Sequence, residues 1–217
     1  MKNQIEIYNN RSVFGITMLN KYFTKAPNNV VSDIGAGYGN MKQHIEEING
    51  IWQPFDFYKK MDYSILWDLN NPAPDNISKP GIIILLEVLE HLPNPLLALQ
   101  NISNHIESDG YLILSTPNPR SSKNIINLIL KGSLYAFQEK HLKEYHVFTP
   151  WEHIVKDFLK TAGFEVLEYA IVDTQYQNRK PENYKDFFKK KIEWFLEKKD
   201  EKSIGMSYGL VAKKIKK

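Results

Sequence analysis

Residues Val30–Asn40 read VVSDIGAGYGN, an apolar run, an aspartate and three glycines within five positions. A short buried strand leading through a glycine-rich turn into a helix brings main-chain N–H groups close to a ligand, near the positive end of the helix dipole. The spacing narrows the ligand. A dinucleotide fingerprint wants G-x-G-x-x-G, and here the third small residue would fall at Asn40, while the glycines stand at Gly35, Gly37 and Gly39. No G-K-[ST] follows, so a P-loop is excluded. Asp33, just before the turn, suits an ammonium group and would repel a phosphate. The ligand therefore carries positive charge.

Working outward, strand-like apolar runs alternate with helix-period segments, the pattern of an α/β fold with a mostly parallel sheet. Met41, Ile45 and Ile48 mark the core face of a helix that Gly50 ends. Ile51–Phe57 reads as the second strand, with Pro54 placing it near a sheet edge or at a bulge. Tyr63–Leu69 follows too soon for a full crossover helix, so that helix is short or absent. GIIILLEVLEHL, from Gly81, opens as a strand buried on both faces. Asn94 and Pro95 then predict a cap and first residue of a helix lined by Leu99, Ile102 and Ile106, running to about Glu107. Tyr111–Pro119 is a fifth strand stopped by prolines.

Residues 120–147 break the alternation and read as a substrate-side insertion holding His141, Tyr145 and His146. Thr149–Glu152, TPWE, predicts a capping box for a helix buried through Trp151, Ile154, Val155, Phe158 and Leu159 and closed by Gly163. Phe164–Val172 and Met206–Ile215 are the last strands. Between them, Tyr184, Phe188, Ile192 and Phe195 predict an amphipathic helix within 173–203, packed on the sheet, covering the site or forming a homodimer contact.

The whole chain of 217 residues reads as one domain, with a core at about 28–172 and 204–217 and insertions at about 120–147 and 173–203. Apolar residues at 42% and charged residues at 24% exclude wholesale disorder. The absence of cysteine removes disulfides, thiolate nucleophiles and Cys-based zinc sites. A net charge of +3 is too small to imply nucleic acid. No segment has the length of a membrane span or the form of a secretory signal, so a cytoplasmic enzyme without a membrane partner is expected.

Four stretches in this order, VVSDIGAGYGN, EVLEHLPNP, GYLILSTPNP and HVFTPWEHIVKDFLKTAGFEVLEY, resemble the class I S-adenosylmethionine-dependent methyltransferases. The likeness is greatest to the branch of ubiquinone-pathway O-methyltransferases and covers roughly residues 30–169 plus the final strand. It implies a Rossmann-like fold with a seven-stranded, mostly parallel sheet whose last strand is antiparallel, and S-adenosylmethionine as cofactor. By that resemblance Asp33, Gly35, Gly37 and Gly39 hold the methionine portion, Asp56 the ribose, Asp68 and Leu69 the adenine, and Glu87 lies near the transferable methyl group. A short segment after Asp56 makes Asp62 the alternative ribose carboxylate.

Methyl transfer to a hydroxyl needs alignment and a base. Of six histidines, His44, His105 and His153 fall on predicted helices away from the ligand edge, and His91 and His146 are the candidates for catalysis. The expected acceptor is a small molecule, methylated on oxygen. No metal is assigned. As an alternative, Glu87, Glu90, His91 and His146 would hold a divalent cation, because E-x-x-E-H with a distant histidine also resembles small-RNA 2′-O-methyltransferases. A non-catalytic cofactor-binding protein and a nicotinamide-dependent oxidoreductase are the readings from other classes.

Overall fold

The computed structural model describes residues 5–139, 143, 145–176 and 181–215. Among the described residues eight strands form one sheet: β1 (Glu6–Ile7), β2 (Val30–Ile34), β3 (Ile51–Asp56), β4 (Ile65–Leu66), β5 (Ile82–Leu86), β6 (Tyr111–Pro117), β7 (Phe164–Val172) and β8 (Ser207–Lys214). Their order is β1-β7-β8-β6-β5-β2-β3-β4. All neighbours pair in parallel except β8, which runs antiparallel to both β6 and β7. The seven expected strands are present, and the eighth is the two-residue β1 on the edge of β7.

The central strands are apolar on both sides because helices cover both faces. Ile83, Leu85, Leu112 and Leu114 point into one core with Leu99 and Ile102 of α3 (Pro95–His105) and Val155 and Leu159 of α5 (Glu152–Thr161). Ile82, Ile84 and Ile113 point into the other, against Phe14, Met18 and Leu19 of α1 (Arg11–Phe23) and Ile45 of α2 (Lys42–Glu47). The alternation along each strand thus divides its side chains between two cores. Helix α1 has no counterpart in the sequence reading. Asn10 caps it by accepting from Val13 N at 2.9 Å, and its apolar face lies beneath the sheet.

The local signals hold at several ends. Asn94 accepts from Leu97 N at 3.2 Å with Pro95 in the first turn of α3, and Gly163, at φ +86°, follows α5. Ile51 N–H donates to Asn29 O, and Phe55 O accepts from Gly35 and Ala36, so the odd residues of β3 face β2. Pro54 therefore faces the other side, ahead of the Phe55↔Ile65 start of the β4 pairing, where its missing N–H costs no ladder bond. No helix lies between β3 and β4.

Two expectations require correction. The strand at Tyr63–Leu69 is paired only at Ile65–Leu66, because Asp68 turns the chain by accepting from Asn70 N at 3.0 Å and Trp67 Nε1 donates to Asn71 O at 3.0 Å. The capping box at Thr149 does not form: α5 begins at Glu152, and Trp151 is exposed. Pro150 O is held outside the helix by the buried Tyr208 hydroxyl at 2.9 Å, and the Glu152 carboxylate is taken by Lys156 at 2.7 Å and Lys202 at 2.6 Å. Among the described residues no helix is long and apolar enough to cross a membrane.

Two positions test this packing. A Cβ at Gly209 of β8 would lie 2.4 Å from the Phe14 ring, so Gly209→Ala must displace α1 from the sheet. The expected loss is about 1–3 kcal/mol in urea unfolding. His105 is buried between Phe55 and Trp67, its Nε2 3.3 Å from Ser32 Oγ, and burial pushes its pKa down to about 4. The unfolded chain therefore takes up this proton first. His105 contributes stability that is fully present above its ordinary pKa of 6.5 and is lost as pH falls towards about 4. Unfolding midpoints across that window should decline more steeply in the parent protein than in His105→Gln.

Candidate active site

The carboxyl ends of β2, β3, β5 and β6 converge where the strand order reverses about β2, the place where open α/β sheets bind ligands. The turn after β2 carries Gly35, Gly37 and Gly39 at φ +76°, +57° and +81°, a left-handed conformation that side chains resist. Gly35 is further constrained, since a Cβ there would lie 2.5 Å from Val88 Cγ2. Gly35 N and Ala36 N donate to Phe55 O at 2.9 and 3.0 Å, and Gly37 N donates to Asp56 Oδ2 at 3.0 Å. The turn is thus tied to the end of β3.

Asp33 is buried at the end of β2, with Trp52 Nε1 donating to its Oδ2 at 3.1 Å. Burial raises its pKa to about 6, opposed by the Trp52 bond and assisted by the Asp56 charge. Asp56 is buried at the end of β3, with Lys60 Nζ 3.6 Å from Oδ2. Asp62, by contrast, is exposed in the loop beyond. Asp68 is half-buried, and its oxygens accept from Asn70 and Asn71. Leu69 packs in the core with Trp67, and Asn101 Nδ2 donates to its carbonyl at 2.9 Å.

After β5 the chain enters a single 3₁₀ turn, Leu89–His91, and Glu87 ahead of it is held at φ +53°. A non-glycine residue in this region stores backbone strain, here fastened on the carboxylate side. Ser115 Oγ donates to Glu87 Oε1 at 2.8 Å, Ser207 Oγ to Oε2 at 3.2 Å, and Arg11 Nη1 lies 3.4 Å from Oε2. Arg11 also reaches Asp173 Oδ2 at 3.1 Å, so the N-terminal helix begins beside the site. Burial raises the Glu87 pKa, with Arg11 opposing. Glu90 is buried more deeply and raised further by burial and by Glu87, with Thr116 Oγ1 donating to it at 3.0 Å.

His91 and His146, distant in sequence, meet edge to face with ring centroids 4.7 Å apart. The bridge is Glu90: its carbonyl accepts from Val147 N at 3.0 Å and Phe148 N at 3.1 Å, which pins the segment carrying His146 against the turn carrying His91. His146 Nδ1 lies 2.7 Å from Ala136 O. Because a carbonyl can only accept, Nδ1 carries the proton there and Nε2 is left as the acceptor of the neutral ring. Glu90, His91 and His146 each bring one ligating atom within 4.8 Å of the other two, a donor set of one carboxylate and two imidazoles that fits a divalent cation. Glu87 of the four-residue set faces Arg11 and the serines instead.

The other described histidines lie elsewhere. His44 pairs with Glu47 on α2, His105 is buried in the core, and His153 lies exposed on α5 beside Trp151. His141 lies outside the described residues. Trp52, Ser115, Thr116, Asp173 and Ser207 were not among the candidates; Ser115 and Thr116 lie in the stretch GYLILSTPNP, and nothing in the local sequence marks the other three. Arg11 is the first residue of α1, the helix that the sequence reading did not mark.

The model of a methyltransferase domain family matches residues 14–169. A comparison against curated protein sequences gives no match. Among solved structures, a SAM-dependent methyltransferase from Archaeoglobus fulgidus is 18% identical, covering 92% of both chains with a TM-score of 0.61. An S-adenosylmethionine-dependent methyltransferase from Clostridium acetobutylicum is 12% identical over 94% of this chain and 92% of its own, TM-score 0.59. The plantazolicin methyltransferase BpumL, solved in complex with SAH, is 14% identical over 95% of this chain and 84% of its own, TM-score 0.59. The chain belongs to the methyltransferase domain family and has the Rossmann-like fold of the class I S-adenosylmethionine-dependent enzymes.

Proposed function

We propose that this methyltransferase moves the methyl group of S-adenosylmethionine to an oxygen of a small-molecule acceptor, in the manner of the ubiquinone-pathway O-methyltransferases, within one domain spanning the chain. The observation that carries the reading is the meeting of His91 and His146 beside the glycine turn's edge of the sheet. Asp33 and the turn at Gly35, Gly37 and Gly39 receive the methionine end, where a buried carboxylate favours the ammonium group. Asp56 takes the ribose hydroxyls, Asp68 and Leu69 border the adenine, and Glu87 lies towards the methyl group. Burial and positive charge belong together here, because a cationic donor offsets the desolvation of Asp33 and Glu87.

In the reaction an acceptor oxygen attacks the methyl carbon in line with the C–S bond. The C–O bond forms as the C–S bond breaks, and the sulfonium leaves as a neutral thioether. The hydroxyl proton passes to an imidazole nitrogen, for which His146 Nε2 is prepared by the Nδ1–H bond to Ala136 O.

A second reading is favoured by the Glu90, His91 and His146 set, which would hold a divalent cation that acidifies an acceptor hydroxyl. RNA ribose is the acceptor class attached to that reading. Chelator treatment followed by metal add-back separates the two: activity unchanged by chelation supports the imidazole as base.

Calorimetric titration with S-adenosylmethionine and, separately, NADH is the primary test, with Asp56→Ala as control. Saturable binding of the sulfonium compound alone, weakened in the variant, is expected; binding of NADH alone would remove the reading. With an acceptor in hand, His146→Ala should lower kcat by about 10²–10⁴-fold while donor binding is retained. Tight donor binding without turnover on any acceptor would instead mark a non-catalytic binding protein.

A further inference from the structure

Helix α6 (Tyr184–Lys199) is built inside out. None of its side chains is buried, although it is 16 residues long and eleven of them are aromatic or lysine. Its three carboxylates, Asp186, Glu193 and Glu197, follow one stripe at i, i+7 and i+11 and are the half-covered positions, together with Lys190 and Leu196. Glu197 accepts from Ser122 Oγ at 2.7 Å at the start of α4 (Ser122–Lys131), so the acidic stripe looks into the protein. The exposed arc carries Phe187, Phe188, Ile192, Trp194 and Phe195. Interleaved with them are Lys185, Lys189, Lys191, Lys198 and Lys199, all exposed, and no carboxylate of the helix is fully exposed. Lys191 Nζ lies 4.7 Å from the Phe187 ring and Lys198 Nζ 5.1 Å from the Trp194 ring. The neighbouring α4 ends in exposed Leu128, Ile129 and Leu130, followed by Lys131.

A globular helix ordinarily turns its apolar residues inward and its charges outward. Reversal on this scale calls for an outer surface that accepts aromatic side chains and supplies negative charge around them. We propose that α6, with the end of α4, seats this protein peripherally on an anionic lipid bilayer. Aromatic rings enter the headgroup boundary while lysines meet anionic headgroups, a contact along the surface and not a span. The sequence reading excluded a membrane partner from the lack of a spanning segment, a criterion blind to this mode. A second copy of the chain on the same face is disfavoured, because a two-fold contact would set lysines against lysines with no carboxylate between them. Nucleic acid fits less well, since the cations are all lysine and the apolar set includes aliphatic side chains with no use in phosphate recognition. The face lies at the catalytic edge, because α4 follows β6 and α6 leads into the Ser207↔Pro117 start of β8.

The test is co-sedimentation of the purified full chain with vesicles of equimolar phosphatidylcholine and phosphatidylglycerol, and with phosphatidylcholine alone. It needs neither donor nor acceptor, so its outcome is independent of the methyl-transfer reading. Binding to the anionic vesicles only, weakening as sodium chloride is added, is expected. Trp194→Ala with Phe195→Ala, and separately Lys191→Glu with Lys198→Glu, should each weaken partitioning at least tenfold. All four side chains are exposed, so the far-ultraviolet circular dichroism of both variants should match the parent. The proposal is overturned if the anionic vesicles bring down no protein or if both variants bind as the parent does. It is equally overturned if single-stranded RNA binds through the same residues in place of vesicles, or if the aromatic variant converts a dimer to a monomer in sedimentation velocity.

Discussion

The site depends on a clasp between two adjacent strand ends. Phe55 O and the Asp56 carboxylate, at the end of β3, accept from Gly35, Ala36 and Gly37, at the end of β2. These bonds require the turn to run left-handed through three glycines, and they aim the turn's remaining surface outward from the sheet edge. A side chain at Gly35 would collide with Val88, which follows β5, so the same turn also sets how closely β5 and the Glu87–His91 segment may approach. One backbone geometry thereby coordinates three strands.

Around that clasp the molecule accumulates carboxylates it does not fully neutralise. Asp33, Glu87 and Glu90 are each pushed up in pKa with burial as the first cause, and Arg11 is the cation placed against Glu87. Burying acids side by side lowers stability unless something cationic arrives. The arrangement is costly for a structural core, and the methyl-transfer reading proposed above accounts for it by a donor that would bring both an ammonium and a sulfonium. Strain at Glu87, where φ is +53°, belongs to the same trade of stability for position.

The second half of the site is assembled from a distance. Glu90 uses its carbonyl to hold Val147 and Phe148, and thereby places His146 against His91 across more than fifty residues of chain. Ala136, inside the insertion, sets the His146 tautomer. Ser115, Thr116 and Ser207, none of them marked as a site residue in the sequence, complete the hydrogen bonding because β5, β6 and β8 are neighbours in the sheet.

What the sequence by itself determined is everything written in local periodicity and turn chemistry. The central strands, the cap of α3, the glycine turn and the order of α/β units follow from spacing alone, because each depends on residues within a few positions. The expected strand at Tyr63–Leu69 forms but is shortened by the turn at Asp68, and the cap at Thr149 does not form because distant partners, Tyr208 and Lys202, hold Pro150 and Glu152. Helix α1 escaped notice for a related reason, since its apolar face acquires meaning only beneath the sheet. Tertiary structure alone decided that His91 and His146 touch, that Arg11 guards Glu87, and that α6 turns its aromatic side chains outward. The amphipathic period of α6 was legible in sequence, but a period states only that two faces differ; which one meets solvent is settled by what else occupies the protein's surface.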